Sequence, residues 1–259
     1  MEPYFSTMKT FFQHLCLTAL LGTSACNQPG KTVSPDTNAI QAGVVKGIVY
    51  GSQGKPLAGA KIVANSANYY NSNPTTVSDA SGMYKIDLPT GSAAGSFYVR
   101  GSVRVKYNGE TYDLPLFTDD DDTFSPYDGA VKNLRLKLTG DRTGNYGDEG
   151  YHGGTLEVEN NTRNVQRKNI EITLTPSGPL IDGSAGQTVK RLTPADDHYI
   201  HDVAVGKYTL TARDVATGQT LGVRIRDDGN AYGRSTTGTF APPYSGSQRF
   251  RLAVQVREL

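Results

Sequence analysis

The chain has few cysteines and no large excess of charge of either sign. Its 259 residues include no Trp, three Met and two cysteines, Cys16 and Cys26, both in the first tenth of the sequence. The rest of the chain therefore has no disulfide, no thiolate metal site and no thiol nucleophile. Lys and Arg together number 26 against 25 Asp and Glu, which leaves a net charge of +1. Since nucleic-acid binders carry a basic footprint, the sequence predicts no nucleic-acid partner.

A helical pattern is also missing. No window of helical length keeps an apolar stripe with a period of 3.6 residues, so any helix is expected to be incidental. Instead, apolar and polar residues alternate along short segments, in a chain with 29 Gly, 13 Pro and 15 Tyr. The clearest of these segments are 84–88, 134–138, 170–174, 208–212, 221–225 and 250–256. Strands with one buried and one wet face predict an all-β fold of antiparallel, Ig-like or transthyretin-like β-sandwiches.

A glycine-rich segment separates the alternating segments into two groups. Residues 139–154 contain six Gly and no aliphatic residue, a composition typical of a linker. We therefore predict two tandem sandwiches, the first at residues 43–138 and the second at residues 155–259.

The amino terminus has the features of an export signal. An apolar stretch at residues 15–22 follows Lys9, and small residues precede Cys26. The stretch is too short to span a bilayer and predicts a secretory signal at residues 1–25. Small residues directly before a cysteine resemble a bacterial lipobox, which implies that the Cys26 thiol carries a diacylglycerol. Thr23 departs from the usual aliphatic residue, and an ordinary signal cut near Ala25 is the alternative.

The segment after the cysteine predicts a tether and a location. Residues 26–42 hold two Pro, one Gly and few apolar residues, as expected of a flexible linker. Asn27 stands where an Asp would signal retention in the inner membrane. We therefore expect a lipid-anchored outer-membrane protein of a Gram-negative cell envelope, of the Bacteroidota type, whose partner is the membrane itself. The sequence leaves open whether it faces the periplasm or the surface.

One stretch of the first half has a recognisable pattern: a strand, a Gly/Pro-rich turn, a second strand, and a tight turn before a third. It consists of Val45, Gly47, Val49, residues 51–57, residues 59–62, residues 79–82, Tyr84, Ile86 and Leu88. This pattern resembles the carboxypeptidase regulatory-like domain, a transthyretin-like sandwich, over residues 43–138. The resemblance implies the fold and says almost nothing about function.

The second half carries a weaker form of a later part of that pattern. Ile200, Val203, Gly206 and Tyr208 are similar to the strand and Gly-x-Tyr turn of the same family. The similarity implies a second, divergent sandwich and therefore a tandem repeat.

No catalytic constellation is present in the sequence. Zinc carboxypeptidases use His-x-x-Glu, and none of the four histidines has Glu three residues later. There is no Gly-x-Ser-x-Gly motif, and the glycine-rich stretches precede strands rather than helices, so neither a nucleophile elbow nor a phosphate cradle is expected. We predict a protein that is not an enzyme, with no catalytic residue, cofactor or metal.

Two polar clusters are candidate metal sites. Residues 196–202 hold three carboxylates with His198 and His201, but the odd spacing of the histidines predicts opposite strand faces. The four consecutive aspartates at 119–122 do not have the alternating ligand spacing of a calcium loop. Both clusters are expected to be structural or solvated, with a divalent metal left open for residues 196–202 and calcium or a basic partner left open for residues 119–122.

Tyrosines in loops are the remaining candidates for ligand contact. Tyr69 and Tyr70 lie in an Asn/Ser-rich loop, and Tyr232 and Tyr244 lie in the long segment 227–247. Exposed aromatic rings stack on sugars, although the absence of Trp weakens this reading. The sequence favours a non-catalytic, lipid-anchored envelope protein that acts as a structural or protein-interaction module. The alternative is a carbohydrate-binding component of a polysaccharide-uptake or adhesion system.

Overall fold

The computed structural model of the protein describes residues 39–69, 73–91, 95–142 and 150–259. All of these residues belong to one compact unit, Thr37–Leu259. The predicted signal peptide, Cys26 and most of the predicted tether lie outside the described residues. Within the described part of the chain, no helix is long and apolar enough to cross a membrane.

Eight strands form the sheet of the first half. They are β1 (Val44–Tyr50), β2 (Lys61–Ser66), β3 (Thr75–Val77), β4 (Met83–Asp87), β5 (Phe97–Tyr107), β6 (Glu110–Thr118), β7 (Ala130–Val131) and β8 (Leu134–Leu136). Their hydrogen-bonded order is β3-β2-β5-β6-β8-β1-β4, and β7 pairs with β1.

Eight more strands and one 3-10 turn, Arg167–Asn169, form the second half. The strands are β9 (Gly154–Asn160), β10 (Ile170–Pro176), β11 (Val189–Leu192), β12 (Tyr199–Val203), β13 (Lys207–Asp214), β14 (Thr220–Ile225), β15 (Thr236–Thr239) and β16 (Arg251–Glu258). Their order is β11-β10-β13-β14-β16-β9-β12, and β15 pairs with β13.

Seven of the eight strands follow the same order in both halves, and the seventh strand pairs differently. When strands are counted from the start of each half, both sheets run third, second, fifth, sixth, eighth, first, fourth. The prediction of an all-β fold of two tandem sandwiches is confirmed. In one respect it was too simple, because the first and last strands of each half pair in parallel, β1 with β8 and β9 with β16.

The parallel pairing differs between the halves. In the second half it is continuous from Thr155↔Arg251 to Asn160↔Val256. In the first half it is broken, because β1 pairs with β7 at Val45 and Lys46 and with β8 only at Val49 and Tyr50. At the break the chain passes so close to Gly47 that a Cβ atom there would lie 2.1 Å from the Lys132 carbonyl oxygen.

Alternate side chains of the strands meet in the core. Fully or almost fully buried examples are Ile62, Phe97, Leu114 and Leu134 in the first half and Leu156, Ile172, Tyr208 and Val254 in the second. The buried residues of both halves belong to one hydrophobic cluster. Apolar burial is the main stabilising contribution in such sandwiches, and here it extends across both halves.

Candidate functional site

The outer face of the second sheet carries an unusual density of polar and aromatic side chains. On strand β9, which lies between β16 and β12, the residues Thr155, Glu157 and Glu159 alternate with Leu156 and Val158, which are completely buried. The first three side chains therefore point away from the core. The neighbouring strands β16 and β12 place their own outward side chains beside them.

One row of this face crosses three strands. Arg251 of β16 is in register with Thr155 of β9. On the other side of β9, the Thr155 hydroxyl lies 3.2 Å from Nδ1 of His201 on β12. The row therefore places a guanidinium, a hydroxyl and an imidazole side by side.

The next row is centred on the Glu157 carboxylate. Arg226 makes a short ion pair with Glu157 Oε1, and Arg251 Nη1 lies 3.4 Å from Oε2. His198 Nε2 lies 3.8 Å from Oε1. The hydrogen bond to Glu157 raises the pKa of Arg226 above its ordinary value. Arg226 Nε also lies 3.6 Å from Asp227 Oδ2, so the two guanidinium groups of this row face two carboxylates.

Aromatic rings pack between these charges. The Arg251 guanidinium lies 5.6 Å from the centroid of the Tyr199 ring, a cation–π distance. Tyr151 stacks on His201 with centroids 5.6 Å apart and planes 20° apart. Tyr244 stands on the loop before β16 and is 71% exposed.

Beside this row is a groove of about 330 Å³. Its lining includes Thr155, Tyr199, His201, Tyr244, Arg249 and Arg251. The groove thus brings together one predicted contact residue, Tyr244, and one member of the predicted polar cluster, His201. Arg251 is not among the predicted contact residues, although its place on the polar side of an alternating strand is a signal that the sequence contains.

Tyr232 lies at the other end of the same face. The guanidinium groups of Arg224 and Arg257 lie 4.5 and 4.4 Å from its ring centroid. Its hydroxyl accepts a hydrogen bond of 3.1 Å from Asn161 Nδ2. The ring already packs against the chain's own side chains, so Tyr232 is less suited to ligand contact than Tyr244.

The predicted contact Tyr69 is not brought into this face. Tyr69 lies in the first half, directly after β2, and is 49% exposed. Tyr70 and the predicted lipidation site Cys26 lie outside the described residues. The proposed roles of all three stay predictions.

The prediction that His198 and His201 face opposite ways is wrong. His198 precedes β12, so strand alternation does not apply to it, and both rings approach the Asp197 carboxylate, at 3.6 and 3.9 Å. A bulge follows Ile200, and Asp202 has a φ of 62°. Among the described residues, no group of three or more His, Cys, Asp or Glu side chains could hold a metal ion.

The acidic run 119–122 is exposed, as predicted, but it also contacts a buried lysine. Lys132 is only 6% exposed, and its ammonium lies 2.6 Å from the Asp120 carboxylate. The same ammonium donates to the carbonyl oxygens of Asp120 and Asp122. The hydrogen bond to Lys132 lowers the pKa of Asp120. The aspartate loop therefore neutralises a cation within the first half.

The two halves are joined by specific contacts in addition to the linker. Tyr107 on β5 donates a 2.8 Å hydrogen bond to the Pro179 carbonyl and accepts one of 2.8 Å from the Lys207 amide. Tyr112 on β6 is 2% exposed, and its ring centroid lies 6.0 Å from that of Phe250. Tyr107 and Tyr112 of the first half therefore contact residues of the second half directly.

The ends of the predicted linker are held by one carboxylate. Asp202 accepts hydrogen bonds from the amides of Gly140, at 2.8 Å, and Gly153, at 3.2 Å. Beside them the His152 ring packs on Phe117 of β6, with centroids 4.2 Å apart. Burial, aided by Lys137 and Arg142, lowers the pKa of His152 to about 4. The junction therefore contains a neutral, buried histidine.

No protein-family model and no curated protein matches the chain, so the resemblance to the carboxypeptidase regulatory-like domain stays a prediction. Three solved structures are similar to 83–85% of it. They are the Bacillus anthracis TIE protein (13% identity, TM-score 0.34), a streptococcal ancillary pilin (12%, 0.25) and a C-terminal fragment of the pilus adhesin SpaC from Lactobacillus rhamnosus GG (14%, 0.25). The matched regions cover 34%, 62% and 98% of those chains. At these TM-scores the likeness carries no functional information, and the fold assignment rests on the strand order itself.

Proposed function

We propose that the protein is a non-catalytic, lipid-anchored component of the cell envelope, in which the two sandwiches act together as one structural or protein-interaction module. The observation that carries this proposal is the junction. Tyr107 and Tyr112 connect the halves through hydrogen bonds and ring packing, and Asp202 holds both ends of the linker. In this proposal the junction keeps the two halves together as one unit between the membrane anchor and a partner.

The anchor is proposed from the sequence alone. Small residues precede Cys26, and a Pro-containing segment follows it. A lipoprotein with two or three acyl chains is held stably at a membrane, whereas one chain is marginal. The proposed location is the outer membrane.

Membrane fractionation of cells that express the full chain tests the anchor. The wild-type protein is expected in the outer-membrane fraction, and Cys26→Ala is expected in the soluble fraction. Cys16→Ala is the matched control and should stay with the membrane, because Cys16 is removed with the signal. A Cys26→Ala protein that still sediments with membranes would overturn the anchor. Protease treatment of intact cells then shows whether the protein faces the periplasm or the cell surface.

A second function, carbohydrate binding, is favoured by the groove on the second sheet. An exposed ring, Tyr244, lies beside hydrogen-bonding side chains, and aromatic and polar groups together are typical of small-molecule sites. In this reading the protein is the sugar-binding component of a polysaccharide-uptake or adhesion system.

A further inference from the structure

A cleft of about 670 Å³ lies between the two halves. Its lining comes from both of them and includes the polar side chains of Ser52, Arg135 and Lys137 from the first half and Ser184, Gln187 and Arg191 from the second. The cleft therefore exists only when the halves are held together, as the junction holds them.

The walls of the cleft are tied to each other by one carboxylate. Ser52, in the turn after β1, donates a short hydrogen bond to Asp182 in the loop before β11. Asp182 also accepts hydrogen bonds from the amide and the hydroxyl of Ser184, at 3.0 and 2.6 Å. Because these contacts already fix both walls, a ligand does not have to order them when it binds.

Two guanidinium groups of the lining have no carboxylate partner. Arg135 lies over the Tyr50 ring, 5.0 Å from its centroid, and Arg191 Nη1 donates to the carbonyl oxygen of Lys190 at 3.1 Å. Within the described part of the chain, neither group makes an ion pair. A guanidinium has five N–H donors in a planar fork that matches a carboxylate, so most of these donors remain for a ligand.

The other charged groups of the cleft already have partners. Lys137 lies 3.7 Å from the Asp119 carboxylate. Asp202 is the one residue of the lining that carries a carboxylate, and it accepts hydrogen bonds from two backbone amides of the linker. The unused capacity of the cleft is therefore that of Arg135 and Arg191, which suits a ligand with more than one carboxylate.

One wall of the cleft is an edge strand. Among the described strands, β11 pairs with β10 alone. Its residues Val189 and Arg191 are in register with Leu174 and Ile172, which are completely buried, and both line the cleft. An edge strand presents unpaired N–H and C=O groups, and an extended peptide can add to it as a further strand. Every second side chain of such a peptide would lie on the side of Arg191.

We infer that the cleft binds an extended acidic segment of a partner protein. The segment adds to the edge of β11, and its carboxylates pair with Arg191 and Arg135. This inference rests on the protein-interaction function proposed above and names the chemistry of the partner.

Calorimetric titration of the full chain in detergent tests it with two peptides of six residues. The acidic probe alternates Thr with Glu, and the neutral probe alternates Thr with Gln, so that the two differ in charge and have nearly the same shape. We expect the acidic probe to bind at least tenfold more tightly, a difference of about 1.4 kcal/mol. Its affinity should fall as salt is raised, because partly exposed charges are screened.

Variants locate the site. Arg191→Gln and Arg135→Gln are each expected to weaken binding of the acidic probe about tenfold, an effect of about 1.4 kcal/mol. Lys190→Gln is the matched control, because it removes the same charge from the same strand, and its side chain points to the opposite face. It should leave the affinity unchanged, and circular dichroism should show that all three variants are folded.

Strand addition has a separate test. An acidic probe with every backbone amide methylated keeps its carboxylates but has no N–H group to donate to an edge strand. We expect it not to bind. Full affinity of the methylated probe would overturn strand addition to β11.

The outcomes distinguish this inference from the function on which it rests. Equal affinity for the two peptides, or an equal loss in Lys190→Gln and Arg191→Gln, would overturn acidic recognition in the cleft. Equal binding of an oligogalacturonate would overturn a peptide partner and leave a general polyanion site. No binding of either peptide would overturn the inference alone, since the anchored module is tested independently by Cys26→Ala.

Discussion

The sheets of the two halves have the same strand order, but the pairing between the first and last strands differs. Where the first and last strands meet, the second half keeps a continuous parallel pairing from Thr155 to Asn160. Its outward face is therefore an unbroken sheet on which Arg251, Thr155 and His201 form a row. In the first half the equivalent pairing is interrupted, and Lys132 is buried at the interruption.

The comparison shows that the shared strand order does not determine the surface of each half. The pairing of the first and last strands determines which side chains each half presents. The continuous face of the second half can present side chains at fixed spacings of a strand row. The interrupted face of the first half instead contains an internal ion pair with the 119–122 loop. The two halves therefore carry different side-chain arrangements on one strand order, and the junction joins them.

The largest expected effect comes from Tyr112, a residue of the first half that packs against the second half. Tyr112→Ala removes a ring that is 2% exposed and packs on Phe250 of the second half. Deleting a buried aromatic side chain costs about 3–5 kcal/mol of unfolding free energy. Urea denaturation measures it, with Tyr244→Ala as an exposed tyrosine control expected within about 0.5 kcal/mol of wild type. A loss no larger than that of the control would show that the halves do not depend on this contact.

A smaller effect is expected from pH at the junction. Burial lowers the pKa of His152 from 6.5 to about 4, so the unfolded chain binds the proton more readily between these values. Stability is then complete above pH 6.5 and falls as the pH is lowered toward 4, by at most about 3 kcal/mol. Carboxylates with a lowered pKa, such as Asp120, lose their contribution to stability only at a pH below this range.

Chemical denaturation across that pH range checks this. His152→Leu keeps an apolar contact with Phe117 and cannot titrate, so its stability should be flatter between pH 6.5 and 4. His201→Gln, which replaces an exposed imidazole, should keep the wild-type slope. An unchanged slope in His152→Leu would assign the pH dependence to other groups.

The smallest of these effects tests the ion pair that distinguishes the first half. Asp120→Asn leaves the buried ammonium of Lys132 with carbonyl partners alone, and we expect a loss of about 1–2 kcal/mol. Asp119→Asn is the neighbouring control, since Asp119 is 73% exposed and lies 3.7 Å from Lys137. Thermal denaturation of both variants is the measurement. Equal melting temperatures would mean that Asp120 has no special role.

Much of the fold could be predicted from alternation. The segments 84–88, 170–174 and 208–212 overlap strands β4, β10 and β13. The tight turn at residues 79–82 forms as expected, with Asp79 Oδ1 accepting hydrogen bonds from the amides of Ser81 and Met83. These features are local, so a single stretch of sequence contains the information for them.

The candidate site was predicted only in part, because it depends on which strands become neighbours. Arg251, Thr155 and His201 are distant in sequence and meet through the register of β16, β9 and β12. The burial of Lys132 depends on the interrupted pairing of β1, and the burial of His152 depends on packing against Phe117. No periodicity in the sequence shows such pairings between distant strands.

The central claim, that the two sandwiches form one unit through the junction, is tested most directly by hydrogen–deuterium exchange of the wild-type chain and the Tyr112→Ala variant. We predict that the variant exchanges faster in peptides from both halves, including residues 240–251, which contain the Phe250 ring that packs on Tyr112. Faster exchange confined to residues 43–138 would contradict the account.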